Sequence, residues 1–352
     1  MKLKIIINYV IFLLLIVTVA FSLSKLVYVN KNYYESYLLK TIYNMKPNSI
    51  DVLVIGPSTS ESGWNPLVAW KEYGITSLNY SFSNLPISII KNVITDVLKK
   101  QSPKTILIDV NSLISYNYNK GFAKIYFFYY IFQQIPISVN KIKILSILTK
   151  YYELDLETFI YSILPVTATH ENAFFEDIKP TGFCLAYIRK SYFQRKDLSF
   201  NISYPKISSY QENDIPLKYI EDLFDFCDNL DIPTIFISVP APLFFAKPFN
   251  MIPMREKYDS FFSFLKEKNK DYINTNEYHT IRDLNLSYLD IDDNDHLNFW
   301  GSKKYTKYVS EIIKEKYNLE DKRNNPDYSF WNDVAEQYIM DVKNNFGVEI
   351  SF

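Results

Sequence analysis

The sequence predicts an α/β fold with a doubly wound, mostly parallel sheet. Three apolar runs rich in Val, Ile and Leu, at 50–56, 104–111 and 233–242, are typical of strands buried on both faces. Segments with apolar residues at helical spacing separate or follow these runs. Strands that alternate with helices favour a parallel sheet with helices on both faces.

The other predicted elements continue this alternation. Residues 74–82 predict another strand, and Ile89, Ile90, Val93 and Val97 recur at helical spacing within 85–103. The later pattern predicts helices at 216–230 and 255–269, a strand at 271–276, and a helix that begins at about Phe299.

These elements predict one α/β domain over residues 49–318. An insertion at about 112–215 interrupts it, and a polar link with one more helix follows at 319–352. The insertion is strongly apolar, but Lys124 and Pro136 break its apolar run. Two interpretations of the insertion stay open: helices packed on the core, or a lid or surface that faces a membrane or a partner.

The N-terminus predicts a membrane anchor. The apolar run at 5–23 is long enough to span a bilayer as a helix. The lysines before it favour a cytoplasmic N-terminus, so residues 1–27 form a stub and an anchor, 28–48 form a connector, and the remainder is extracytoplasmic. The alternative is a cleaved signal peptide, with a weak cleavage site at 20–22.

Charge and cysteine content exclude some classes of protein. The chain has 38 basic and 39 acidic residues, which gives no case for a nucleic-acid partner. Cys184 and Cys227 do not form a metal motif, and their spacing does not say whether they pair. We expect neither a metal nor an organic cofactor.

The first candidate site residue is Ser58. The strand at 50–56 passes directly into Gly56-Pro57-Ser58. Ser58 is therefore either an ordinary turn residue or a nucleophile exposed at the end of a strand.

The second candidate is a carboxylate and histidine pair. The chain has only three histidines, and Asp293 comes three residues before His296, just ahead of the last core helix. At this spacing the carboxylate can accept the Nδ1 proton and leave Nε2 free as a base. Because the carboxyl ends of parallel strands share one edge, we expect Ser58 and His296 to meet there.

Three alternatives to a catalytic pair stay open. A calcium loop that begins at Asp290 fits poorly, because its sixth residue is Asp295 rather than glycine and its twelfth is Gly301 rather than glutamate. The acidic run could instead be a solvated turn. His296 could also be a buried histidine bonded to backbone.

Together the two motifs resemble those of the SGNH (GDSL-like) hydrolases, which have a flavodoxin-like fold. The first block of that family, G-[DS]-S with a following turn, is similar to Gly56-Pro57-Ser58 and 63–66. The last block, D-x-x-H-L-N-x-x-G, is matched completely by Asp293, His296, Leu297, Asn298 and Gly301. The resemblance covers residues 50–115 and 230–318.

The two middle blocks depart from the family. In N-x-x-x-S-G, Asn79 and Ser83 are present, but Asn84 stands where the glycine belongs. In G-x-N-D, only Asn111 is kept. The resemblance implies an oxyanion hole built on the backbone N–H of Ser58, with Asn84 and Asn111 as further donors.

The resemblance is greatest to membrane-anchored members that accompany membrane-bound O-acyltransferases, such as the D component of lipoteichoic-acid D-alanylation. It implies an extracytoplasmic serine esterase or O-acyltransferase that acts on a cell-surface or exported polysaccharide through an acyl-Ser58 intermediate. Its partners would be a glycan or acyl donor and a membrane-bound O-acyltransferase. The alternative is a non-catalytic protein of the same fold that binds a glycan or a membrane partner.

Overall fold

A computed structural model describes most of the core of the chain. The described residues are 7–12, 14–15, 18–19, 42, 45–82, 85–111, 138–152, 190–195, 217–240, 252–293 and 296–352. Most of the predicted anchor and connector therefore lies outside them, as does most of the insertion. Within the described residues, no helix has the length and apolar character needed to cross a bilayer.

The described elements alternate between strands and helices, as the sequence predicts. In chain order they are β1 (Val52–Ile55), α1 (Ser58–Gly63), α2 (Pro66–Tyr73), β2 (Ser77–Asn79), α3 (Ile87–Leu98), β3 (Thr105–Asp109), α4 (Val139–Tyr152), a 3₁₀ turn (Lys190–Phe193), α5 (Leu217–Asp228), β4 (Thr234–Ile237), α6 (Ile252–Glu267), β5 (Tyr272–Ile273), α7 (Tyr278–Asp283), a 3₁₀ turn (Tyr288–Asp290), α8 (Phe299–Tyr317), a 3₁₀ turn (Pro326–Tyr328) and α9 (Phe330–Phe346).

Within the described residues, five parallel strands form one sheet in the order β2-β1-β3-β4-β5. The prediction of a parallel sheet is confirmed. β1 and β3 lie at the centre, and the register pairs Val52 with Thr105 and Ile55 with Ile108. Because all strands run the same way, the segments that follow β1, β3 and β4 meet at one edge, which we call the carboxyl edge.

The strands are buried on both faces, which explains why their central residues are apolar. Leu53 and Ile55 of β1 belong to the core that includes residues of α3, α5 and α6. Val52 and Val54 point the other way and pack in the core that includes residues of α8. This alternation, together with helices on both faces, makes the sheet doubly wound.

The C-terminal helix α9 packs on α2 and forms a third core. The rings of Trp70 and Trp331 lie 5.7 Å apart, and Trp70 Nε1 donates to Asn332 Oδ1 at 3.0 Å. Trp70 and Trp331 are both fully buried. The C-terminal segment therefore packs on the α/β core.

The opposite edge of the sheet, which we call the amino edge, holds a buried ion pair. Asp51 precedes β1 and is 2% exposed. Lys322 Nζ lies 2.7 Å from its Oδ2, and Thr76 Oγ1 donates to the same oxygen at 3.0 Å. Lys104 Nζ approaches Oδ1 at 3.7 Å. This cluster fixes the C-terminal segment to the start of β1.

Candidate active site

Three side chains meet at the carboxyl edge in a hydrogen-bonded series. Ser58 Oγ lies 2.8 Å from His296 Nε2, and His296 Nδ1 lies 2.7 Å from Asp293 Oδ1. The backbone N–H of His296 also donates to Asp293 Oδ1, at 3.0 Å. This is the arrangement that the two sequence motifs predict, and it brings together residues 238 positions apart.

The two contacts of the His296 imidazole favour the tautomer in which it can act as a base. With a proton on Nδ1, His296 donates to the Asp293 carboxylate, and its Nε2 is free to accept the Ser58 hydroxyl hydrogen. The His296 side chain is 22% exposed, whereas that of Asp293 is 43% exposed. The histidine is thus largely enclosed, while its carboxylate partner remains open to solvent.

The segment that carries His296 owes its shape to Leu297 and Asn298. Leu297 pairs with Ile291 in an antiparallel bridge, and Asp292 N–H donates to His296 O at 2.9 Å. Asn298 Oδ1 caps α8, because it accepts from two N–H groups of the first turn. Asn298 Nδ2 donates to the carbonyl of Ile291 at 3.1 Å. One buried side chain thus joins the loop to the helix that follows it.

Gly301 is required by a close approach of backbone. A Cβ atom at this position would collide with the carbonyl oxygen of Asp290. Asp290 is fully buried, and its Oδ2 accepts from Ser287 N–H at 2.8 Å and from Lys304 Nζ at 2.8 Å. The Leu-Asn-x-x-Gly part of the motif therefore has a structural explanation at each of its three positions.

Helix α8 also holds the helix that begins with Ser58. Ser302 Oγ donates to the carbonyl of Gly63 at 2.9 Å, and Thr306 Oγ1 accepts from Asn65 N–H at 3.0 Å. The first residues of α8 follow His296, and its inner face holds the end of α1. The nucleophile candidate and the base candidate therefore share one rigid support.

Asn79, at the end of β2, holds α1 from the other side. Its buried Nδ2 donates to the carbonyls of Ser60 and Trp64, both at 2.8 Å. The Ser60 carbonyl also accepts from the N–H of Trp64, the residue that caps this short helix, at 3.0 Å. Asn79 thus stabilises α1 by a contact that its place in the family block did not reveal.

Sequence reasoning missed Asp109, the last residue of β3. It is fully buried, and its Oδ2 accepts from Thr59 Oγ1 at 2.7 Å and from Ser60 Oγ at 2.5 Å. Burial raises the pKa of its carboxyl to about 6, and the hydrogen bonds from Ser60, Asn111 and Thr59 limit the rise. The signal that could have found it is an acidic residue at the end of an otherwise apolar strand.

Asn111 lies beside this network. Its Nδ2 donates to Thr59 Oγ1 at 3.0 Å, and its Oδ1 accepts from the Tyr258 hydroxyl. This amide is directed at the second residue of α1, which indicates a supporting role. Its predicted role as an oxyanion donor stays a prediction.

The structure describes only one of the other two predicted oxyanion donors. Asn84 and Ser83 lie outside the described residues. The backbone N–H of Ser58 is at the first position of α1, where a helix leaves its N–H groups without partners inside the helix. This N–H can therefore donate to the oxygen of an acyl group whose carbon is within reach of the Ser58 hydroxyl.

A short part of the predicted insertion reaches the site. Ser191 Oγ donates to Asp292 Oδ2 at 3.3 Å, and Tyr192 OH donates to the carbonyl of Ser62 at 3.3 Å. The Arg195 guanidinium lies over the Trp300 ring, 5.7 Å from its centre. Residues 190–195 thus contact both α1 and the loop before His296.

Metal ligands were not expected from the sequence. In the ranges that the structure describes, no three His, Cys, Asp or Glu side chains are grouped to hold a metal ion. Cys227 is buried in α5, whereas Cys184 lies outside the described residues, so their pairing is not tested.

Comparisons with known proteins found no match in sequence and a distant likeness in structure. No protein-family model matches the sequence, and no curated protein matches it. Among solved structures, the chain is similar to a protein assigned as a lipolytic protein of the G-D-S-L family from Desulfitobacterium hafniense DCB-2. The identity is 11%, the match covers 74% of this chain and 98% of that chain, and the TM-score is 0.35.

Proposed function

We propose that the protein is a serine esterase or O-acyltransferase of the SGNH type that works through an acyl-Ser58 intermediate. One observation carries the proposal: the series Ser58 Oγ, His296 Nε2, His296 Nδ1 and Asp293 Oδ1, with contacts of 2.8 and 2.7 Å. A serine becomes a useful nucleophile when an adjacent base can take its proton and a third group orients that base.

In the first half of the proposed reaction, the Ser58 Oγ attacks the carbonyl carbon of an ester. The hydroxyl proton moves to His296 Nε2, and the carbonyl oxygen becomes an oxyanion. The Asp293 carboxylate stabilises the imidazolium through the Nδ1 contact. When the intermediate collapses, the leaving alcohol takes the proton from Nε2, and Ser58 keeps the acyl group.

In the second half, a water molecule or a sugar hydroxyl attacks the acyl-Ser58 ester. His296 Nε2 takes the proton of the attacking group and returns it to Ser58 Oγ as the acyl group leaves. The product is a free acid in the first case and a new sugar ester in the second. The chemistry of the chain is the same in both cases, so the acceptor alone separates hydrolysis from transfer.

The location and partners belong to the proposal as well. The apolar run at 5–23, with lysines before it, supports a single-pass anchor with a cytoplasmic N-terminus and an extracytoplasmic site. The family resemblance supports a cell-surface or exported polysaccharide as substrate and a membrane-bound O-acyltransferase as partner.

A second candidate function is a non-catalytic binding protein of the same fold. The departures from the family in the middle blocks favour it. Asp109 stands where the family has glycine, and the Asn111 amide donates to Thr59 Oγ1. Such a protein would keep the Ser58–His296 contact without an effective oxyanion hole, and it would bind its partner equally well after Ser58→Ala.

The deciding experiment is intact-mass labelling of the full-length chain with a fluorophosphonate, which reacts with activated serines. We expect one adduct on the wild-type protein. Ser58→Ala should abolish the adduct, and His296→Ala should slow its formation at least ~10³-fold, since an unassisted serine hydroxyl is a weak nucleophile.

Two matched variants control for side effects. Ser310→Ala removes another buried hydroxyl, and His279→Ala removes an exposed histidine that pairs with Glu277. Both should label like the wild type. A wild-type protein that melts cooperatively but takes up no adduct contradicts the esterase proposal and favours the binding protein.

A further inference from the structure

Asp109 takes no part in the proton transfers above, yet it is bonded to the helix that carries the nucleophile. Its Oδ2 accepts from the hydroxyls of Thr59 and Ser60, at 2.7 and 2.5 Å. Its Oδ1 accepts from Asn111 N–H at 2.9 Å. Thr59 and Ser60 directly follow Ser58, so two bonds from one carboxylate hold the first turn of α1.

We propose that ionised Asp109 is a positioning residue, which keeps Ser58 within reach of His296 by tying the first turn of α1 to the carboxyl edge of the sheet. The inference rests on the proposed function. No other described side chain accepts hydrogen bonds from both residues that follow Ser58.

The charged form is the one that fits this environment. An ionised carboxylate is purely an acceptor, and every partner of Asp109 is a donor. The donors are two hydroxyls, the backbone N–H groups of Asn111 and Val239, and the Asn111 amide, whose Nδ2 lies 3.5 Å from Oδ2. A proton on Oδ2 would occupy the space of a hydroxyl hydrogen that already points there. Thr59 or Ser60 would then have to rotate away, and the first turn of α1 would lose one of its two attachments.

The groups that face Asp109 come from α1, the ends of β3 and β4, and α8. From α8, Tyr305 is fully buried, and burial together with the Asp109 charge raises the pKa of its hydroxyl well above its ordinary value. From α6, Tyr258 bonds to the neighbouring Asn111 amide. Among the described residues, no cation contributes to the pKa of Asp109.

If Asp109 positions Ser58, the reactivity of Ser58 depends on the charge states of both Asp109 and His296. The pKa of Asp109 is raised to about 6, so the carboxyl takes up a proton as the pH falls through that value. His296 must also be unprotonated at Nε2 to act as a base. A proton on either group therefore lowers the rate of labelling in acid, whereas a simple serine and histidine pair has only one such group.

The test measures the second-order rate of fluorophosphonate labelling of the full-length chain at roughly pH 4.5 to 9. The acid limb of the logarithmic plot should be steeper for the wild type than for Asp109→Asn, whose slope should be about one. Asparagine has the same shape, and the hydroxyls of Thr59 and Ser60 can turn to accept from its amide. We expect its labelling rate at pH 8 to be lower by ~10–10²-fold, as for a displaced nucleophile.

Ser60→Ala provides a second variant that keeps the charge. It removes a hydrogen bond that lowers the pKa of Asp109, so part of the acid limb should move to higher pH. Ser310→Ala, which removes a buried hydroxyl from α8, should leave the profile unchanged.

The outcomes separate the two proposals. If the folded wild type takes up no label at any pH, the proposed function and this inference both fail. If the wild type and Ser60→Ala label with one common acid limb of slope one, Ser58 is activated but Asp109 does not position it. That result overturns this inference alone, even if Asp109→Asn fails to fold.

Discussion

Two buried aspartates lie at opposite edges of the same sheet. Asp51 at the amino edge is 2% exposed and has the ammonium group of Lys322 at 2.7 Å. Asp109 at the carboxyl edge is 0% exposed and meets only hydroxyl and N–H donors. The two residues share residue type, sheet and burial, and they differ in the presence of a cation.

The difference distinguishes a structural carboxylate from the one that we propose positions Ser58. A cation offsets the loss of hydration of Asp51, and the resulting ion pair joins the C-terminal segment to β1. Asp109 keeps its charge without that compensation, so burial raises its pKa to about 6. Carboxyl groups whose pKa is strongly perturbed are concentrated at functional sites. Asp51 thus stabilises the amino edge through an ion pair, whereas Asp109 lies beside the candidate nucleophile without one.

The largest expected effect comes from removing the cation at the amino edge. Lys322→Met keeps most of the stem and leaves Asp51 buried without its 2.7 Å partner. We expect the free energy of unfolding at pH 8 to fall by about 3–5 kcal/mol, measured by urea denaturation. Fluorophosphonate labelling of the folded fraction should not change.

Lys316→Met is the matched control for this prediction. Lys316 also makes a 2.8 Å ion pair, with Asp271, but the two side chains are 44% and 54% exposed. Its loss should cost under about 1 kcal/mol. Equal effects of the two substitutions would mean that burial does not distinguish the amino-edge pair.

An intermediate effect is expected for Asp109→Asn, and its dependence on pH has a defined sign. The folded-state pKa of Asp109 is raised from 3.8 to about 6. Its protonation therefore stabilises the fold fully below its ordinary pKa, and that contribution is lost as the pH rises through about 6. Between pH 3.5 and 7.5, the wild type should lose about 3 kcal/mol relative to the variant. Denaturation at several pH values measures this; a constant difference would contradict it.

The smallest effect is expected for Lys104→Ala. Lys104 Nζ is 3.7 Å from Asp51 Oδ1, and its side chain is 47% exposed. An exposed and distant partner of this kind contributes about 0.5 kcal/mol, which the same denaturation measurement can resolve at low salt. A loss as large as that of Lys322→Met would show that both lysines, rather than the buried one alone, compensate Asp51.

Most of the fold was predictable because the strands are buried on both faces. Each of the runs at 50–56, 104–111 and 233–242 contains a strand of the sheet, and the middle of each strand is apolar. The observed strands are shorter than the runs. β1 ends at Ile55 because Gly56 and Pro57 turn the chain into α1.

The contacts of Asp109 were not predictable, because they depend on the register between two strands. Ile55 pairs with Ile108, so Asp109 lies level with the turn after β1. A Cβ on Gly56 would overlap the side chains of Ser60 and Asp109, which shows how closely these segments approach. The sequence of either strand alone does not determine this register. In contrast, Asp293 and His296 are near neighbours, so their contact could be predicted from spacing alone.

The long separation between Ser58 and His296 has a consequence for the synthesis of the chain. The two side chains that touch at 2.8 Å are 238 residues apart. A ribosome therefore completes β1 and α1 long before it adds the imidazole that completes the contact. Every unfinished or prematurely terminated chain that stops before residue 296 carries the serine without its base. The order of translation thus delays the assembly of the pair until His296 has been added.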